Sequence, residues 1–205
     1  MKVKKTKAYN LIKSLKKKNA IRTLKRGLFS FNDVSEFVLA TSVHFPSYIS
    51  FWSALNYYGL TENLPKKIFL VTTKYSKELN NFKYITLSKK RFFGYHGLGG
   101  IIIAEKEKAI VDSLLLPKYS GGMKEIIKCV RNSLSEIDIK KLLDYGEKMQ
   151  SKSVFRRLGY ILESLEEKKN LEHINKKIGS GYELFDPNLK KRNNLNKKWL
   201  LDVNI

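Results

Sequence analysis

Glu105, Glu107 and Asp112 cluster with Lys106 and Lys108 in this 205-residue chain. Carboxylates that hold a divalent cation beside a lysine that activates water would make a metal-dependent nuclease of the Asp…Glu-x-Lys kind. The spacing departs from that pattern. Glu105-Lys106-Glu107-Lys108 contains no Glu-x-Lys, and Glu166-Glu167-Lys168, which does, falls in a segment with helical periodicity and not on a strand. The plainer expectation is a helix start, with Glu105 and Glu107 favourable at the positive end of the dipole and Lys108 reaching Asp112 one turn on. His44, His96 and His173 have no histidine or cysteine partner at i+3 or i+4, so no zinc set is expected. Cys129, set among Ile126, Ile127 and Val130, reads as a small core residue. Gly94, Gly97, Gly99 and Gly100 lack both the Gly-Lys-Ser/Thr ending of a phosphate loop and a following helix, so a hairpin turn is expected there. No Gly-x-Ser-x-Gly nucleophile elbow occurs. The expectation is a protein without catalytic residues, metal or cofactor. A metal-dependent nuclease on Glu105, Glu107 and Asp112 is the enzymatic alternative.

Charge is the stronger signal. Forty Lys and Arg against 19 Asp and Glu give a net charge of +21, which attracts polyanions, nucleic acid first among them. Residues 1–26 hold eleven basic residues and no acidic one, so the excess has a location. Lys2, Lys4, Lys5 and Lys7 would oppose the dipole of a helix beginning there, so helix stability does not account for them. A second basic cluster, Lys190, Lys191, Arg192, Lys197 and Lys198, falls in an expected loop. No apolar run approaches the roughly 18–20 residues of a membrane span, and the N-terminus lacks a signal-peptide pattern. A soluble, cytoplasmic protein with no membrane partner is expected.

The elements that must position these residues follow from periodicity. Between Thr6 and Lys18, Ala8, Leu11, Ile12 and Leu15 make the stripe of an amphipathic helix packing on a core, with Asn19 as C-cap. Ala20–Leu24 and Leu28–Phe31 flank Lys25-Arg26-Gly27 as a short hairpin with a basic tip. Helices are expected over Asn32–Thr41 and, opened by Pro46-Ser47, over Tyr48–Tyr58, where Tyr48, Trp52 and Leu55 share a buried face. Strands are expected at Lys67–Thr72, Phe82–Leu87 and Gly100–Ala104, and helices at Glu105–Leu116, Met123–Arg131, Ser135–Gln150 with Ser135 as cap, Ser151–Lys169 and Leu171–Lys177. Trp199–Val203 reads as a strand tucked back on the body. The class is α+β.

Four blocks in this order resemble the AbiEi-like antitoxin and transcriptional-regulator family: Pro46-Ser47-Tyr48-Ile49-Ser50-Phe51-Trp52-Ser53-Ala54-Leu55-Asn56-Tyr57-Tyr58-Gly59-Leu60-Thr61, Arg91-Phe92-Phe93-Gly94-Tyr95, Ile103 through Asp112, and Arg157 through Glu163. The resemblance implies a winged helix-turn-helix joined to a mixed helix and strand domain, acting as the antitoxin of a type IV toxin-antitoxin (abortive infection) pair. It implies autorepression of the operon, and a cognate nucleotidyltransferase toxin opposed without a necessary stable complex. Members of that family carry two helices ahead of the recognition helix; here either an upstream start supplies them or the winged helix is reduced.

The expected organisation is a partial winged-helix module (recognition helix plus wing) at residues 1–31 and an antitoxin-type domain at 32–205. On the double-stranded operator, Tyr9, Asn10 and Lys13 would face the major groove, where Asn reads adenine and Lys reaches guanine, while Lys5, Lys7, Lys17, Arg22, Lys25 and Arg26 would hold phosphates. The rival from another class is a protein-interaction module that neutralises an acidic partner through the basic face.

Overall fold

The computed structural model describes residues 4–167 and 171–205; Lys2, Lys168 and Lys169, named above, lie outside the described residues. The chain is α+β. Its first helix, α1 (Lys5–Lys17), is capped by Lys18 and not by Asn19; Asn19 follows the cap with a left-handed φ of 52°, and Ala20 N–H bonds back to Leu15 O at 3.0 Å. The expected packing of its stripe on a core is not what forms. No residue of α1 is buried: Ala8, Ile12 and Leu15 are half-covered by the hairpin that follows, and Leu11 remains 59% exposed. That hairpin, β1 (Ile21–Lys25) and β2 (Leu28–Phe31), is antiparallel and turns at Gly27, φ 79°. An irregularity between Thr23 and Lys25 displaces Leu24 from the register, and Leu24 is buried in the core.

Several elements differ from the sequence expectation. Asn32 and Asp33 do not cap a helix; they form a turn, and α2 runs Glu36–Val43 behind Ser35. Ser47–Ile49 is a strand, β3, and the helix begins only afterwards as α3 (Phe51–Tyr57), so Tyr48 does not share a helical face with Trp52. Phe51, at φ 54°, makes the reversal from strand to helix within one residue.

The central sheet joins β3 to β4 (Ile68–Thr72), β5 (Lys77–Leu79), β6 (Phe82–Thr86), β7 (Tyr95–Leu98) and β8 (Ile101–Ala104), in the order β5-β6-β4-β3-β8-β7. β3 is antiparallel to β4 and parallel to β8. The glycine cluster makes a hairpin as expected: Gly99 and Gly100, at φ 55° and 85°, are the two-residue turn between β7 and β8. Register places Ile49, Leu70 and Tyr84 on one face and Tyr48 and Val71 on the other. Tyr84 donates to Ala40 O of α2 at 2.6 Å, and Tyr48 donates to Asp112 of α4 (Lys106–Leu115) at 3.1 Å. The sheet therefore lies between α2 and α4.

Around α4 pack α5 (Met123–Ser133), α6 (Ile139–Lys148) and α7 (Lys152–Ser164). Another difference is at α6: Asp138, not Ser135, is its cap and accepts from Lys141 N–H at 3.2 Å. After α8 (Leu171–Asn175), a small sheet of β9 (Glu183–Leu184), β10 (Leu195–Asn196) and β11 (Leu201–Asp202) closes on α7. Two buried arginines fasten it. Arg156 donates to Ile178 O and Ser180 O, and Arg157 to Leu114 O, Leu184 O and Phe185 O. Trp199, fully buried, lies in the turn before β11 and not within a strand.

Candidate nucleic-acid interface

At about 100° per residue, Asn10, Lys13 and Lys17 project from one side of α1, opposite the half-covered Ala8, Ile12 and Leu15. All three are exposed, and Tyr9 flanks them at 66% exposure. Lys5 and Lys7, in the first turns, are also exposed. The helix is held against the hairpin on its other side, where the Lys16 ammonium sits 4.9 Å from the centroid of the Phe29 ring. Sequence reasoning missed that clamp, although a lysine in the last turn and an aromatic on the wing were both visible.

The hairpin contributes Lys25 and Arg26 at its exposed tip. Lys25 Nζ also donates to Val43 O at 3.3 Å, which ties the wing to the end of α2. Arg22 is placed differently from the others. Its guanidinium is half-buried, pairs with Glu36 and donates to Val34 O at 3.3 Å. It fastens the hairpin to α2, and a phosphate would have to compete with Glu36 for it. Of the residues named for DNA contact, Arg22 alone makes an ion pair among the described residues.

Two lysines from far along the sequence join this side. Lys74, between β4 and β5, and Lys77, the first residue of β5, act on His44 together with Lys25 to disfavour its protonation. Burial is the larger cause, and together these effects hold the imidazole below its ordinary value against the opposing hydrogen bond with Tyr75 O. Nothing in residues 1–31 could have announced Lys74 and Lys77, because the connection that carries them is brought beside the wing only by the sheet.

The carboxylates of the nuclease alternative are all taken up by the protein. Asp112 is fully buried; its Oδ1 pairs with Lys108, and its Oδ2 accepts from Tyr48 and from Ser50 at 2.8 Å. Glu107 accepts from Asp138 N–H at 3.1 Å and pairs with Lys141 at 3.2 Å. Glu105 pairs with Lys141 and accepts from the Tyr145 hydroxyl; burial raises its carboxyl, and those two bonds outweigh it and leave it below the ordinary range. Among the described residues no group of three or more His, Cys, Asp or Glu could hold a metal ion. His96 is exposed on β7, and His173 pairs with Glu147 at 2.8 Å. Cys129 is buried, as the sequence suggested. No described helix is long and apolar enough to cross a membrane.

No family model matches the chain, and no curated protein matches it. Among solved structures, the Rv2827c protein of Mycobacterium tuberculosis is similar in fold, with a TM-score of 0.67 over 94% of this chain and 78% of that one, at 11% identity. At that identity the likeness concerns the fold alone.

Proposed function

We propose that the protein is a DNA-binding transcriptional regulator of the AbiEi-like antitoxin type, which represses its own operon and opposes a nucleotidyltransferase toxin. In this reading it acts in the cytoplasm without catalysis of its own. The observation that carries it is the outward face of α1, where Asn10, Lys13 and Lys17 stand exposed beside the wing tip of Lys25 and Arg26. A helix bearing amide and ammonium groups, followed by a basic hairpin, suits a duplex: the helix enters the major groove and the wing lies along the backbone. Lysines at the start of α1 oppose its dipole, a cost that phosphate contact offsets. Residues 1–31 act in this reading as the DNA-binding module and residues 32–205 as the antitoxin domain.

The test is binding of a duplex from the operon's own promoter, followed by fluorescence anisotropy across a salt series. If about six phosphates are neutralised, the log-log slope is roughly −5. Replacing Lys13, Lys17, Lys25 and Arg26 by Ala reduces its magnitude by about three, one for each lost phosphate contact of Lys17, Lys25 and Arg26. An affinity that does not change with salt defeats the reading.

A further inference from the structure

The second basic cluster lies away from α1 and the wing. The hairpin is fastened to α2, on one face of the sheet, by Arg22–Glu36 and Lys25–Val43; the C-terminal strands are fastened to α7, which packs on α4 at the other face. Residues 187–195 are all exposed. Their backbone is nevertheless gripped from beneath by three buried side chains. Asp202 accepts from Arg192 N–H, Asn193 N–H and Asn194 N–H at 3.0–3.2 Å. Asn204 donates to Asp186 O, Leu189 O and Lys190 O, and Asp186 accepts from Asn188 N–H at 2.9 Å. These bonds hold the exposed loop in one conformation, so a partner meets it pre-organised, with the ordering cost already met.

Beside this loop is an open cleft of ≈ 480 Å³, lined by Leu189, Asn188, Gly121, Gly122, Lys118, Lys124 and Asp186. The one carboxylate in the lining, Asp186, has its second oxygen occupied by Met123 N–H at 2.8 Å, so its charge is already met by donors. Lys118 and Lys124 of the lining are exposed, as are Lys190 and Lys191 of the loop, and Leu189 in the lining and Leu195 at the loop's end offer apolar surface at 44% and 47% exposure.

We propose that this loop and cleft dock an acidic segment of a protein partner, one with aliphatic side chains among its carboxylates. The charge calls for an anion, and the exposed leucines call for an apolar anchor, which a phosphate backbone lacks. The cleft lining holds no aromatic ring on which bases of a single strand would stack. The face differs from the one proposed for the duplex, so both partners can be held at once.

The experiment uses the full chain and two fluorescent probes, a peptide of repeated Glu-Glu-Leu and a duplex of the operon promoter. The Lys118→Ala, Lys190→Ala, Lys191→Ala variant changes exposed residues only, and an unchanged melting temperature checks its fold. It is expected to lose about tenfold or more in peptide affinity and less than about twofold in duplex affinity, because only charges at the contact act on it at short range. The α1 and wing variant gives the converse. Leu189→Ser weakens the Glu-Glu-Leu peptide and leaves a Glu-Glu-Ser peptide unaffected. Unchanged peptide affinity in the triple variant, equal loss on both probes, or loss on the duplex alone overturns the proposal, the last by making this a nucleic-acid surface. Failure of every variant to bind duplex would defeat the regulatory reading and leave the peptide measurement standing.

Discussion

Lys108 and Asp112 form an ion pair one helical turn apart on α4, with neither side chain reaching solvent. The ammonium also lies 4.5 Å from the centroid of Phe93, and the carboxylate gathers the Tyr48 hydroxyl from β3 and the Ser50 hydroxyl just after it. The pair thus joins helix, sheet and the loop ahead of β7.

Breaking it from one side leaves a buried charge without its counter-ion. Asp112→Ala is expected to cost about 3–5 kcal/mol, and a Lys108→Met, Asp112→Leu double variant much less than the two single losses together. A double-mutant cycle by urea denaturation checks this; additive losses would show that the two groups do not act as a pair.

Gly159, inside α7, leaves its Cα face to the Trp199 indole, and a Cβ there would overlap the six-membered ring. In an open helix Gly→Ala stabilises by about 1 kcal/mol. Here Gly159→Ala is expected to destabilise by about 1–3 kcal/mol or more and to shift Trp199 emission to the red. Equal or higher stability would mean that the indole can move aside.

His44 supplies a pH dependence. Its folded pKa lies below the ordinary 6.5, through burial and then through Lys74, Lys77 and Lys25. The unfolded chain therefore binds the proton more readily. The stability due to the neutral imidazole is fully present above pH 6.5 and is lost as pH falls from there through the folded value. His44→Gln should flatten that limb in melts between about pH 5 and 8. An unaltered limb would assign it to other groups.

Cys129 is pushed up to about 12 by burial and then by Glu125. At pH 8 the native thiol should resist a disulfide reagent and react promptly once urea unfolds the chain, with no loss of folded stability in Cys129→Ser beyond about 1–3 kcal/mol. Rapid native labelling would reveal local opening of α5.

Separation of the two proposed activities is measurable in cells. The Lys13, Lys17, Lys25, Arg26 alanine variant should derepress the promoter yet still rescue growth from the cognate toxin, since these exposed changes cost little stability. Loss of rescue at an unchanged melting temperature would place the antitoxin function on α1 and the wing.

Much of this fold could be read from the chain because α1, the hairpin, α4 and the strands at residues 68–72 and 82–86 each carry a period or a turn residue. β3 could not. Ser47–Ile49 is three residues long and buried throughout, so it shows no alternation, and its apolar run merges with that of α3. The starts of α2 and α6 were misplaced because Asn32-Asp33 and Ser135 carry cap chemistry that turns also use. The segment from residue 183 onward is tied down by Arg157, Asp186, Asp202 and Asn204 bonding to backbone, which leaves no periodic trace. In the candidate interface, the exposed lysines of α1 and the wing tip were legible as an acid-free run. The inward role of Arg22 was not, since it depends on where Glu36 lands.

The position of β3 also dictates an order of assembly. Its antiparallel partner, β4, follows within some twenty residues, whereas the pairing of Ile49 with Ile103 on its other side spans 54 positions. Loops of that size close late and slowly. On a ribosome the strand therefore emerges and pairs with β4 while its second edge stays open until β8 has been synthesised. During that interval the edge of β3 at Ile49 is left unpaired, and unpaired strand edges are what expose incomplete chains to aggregation.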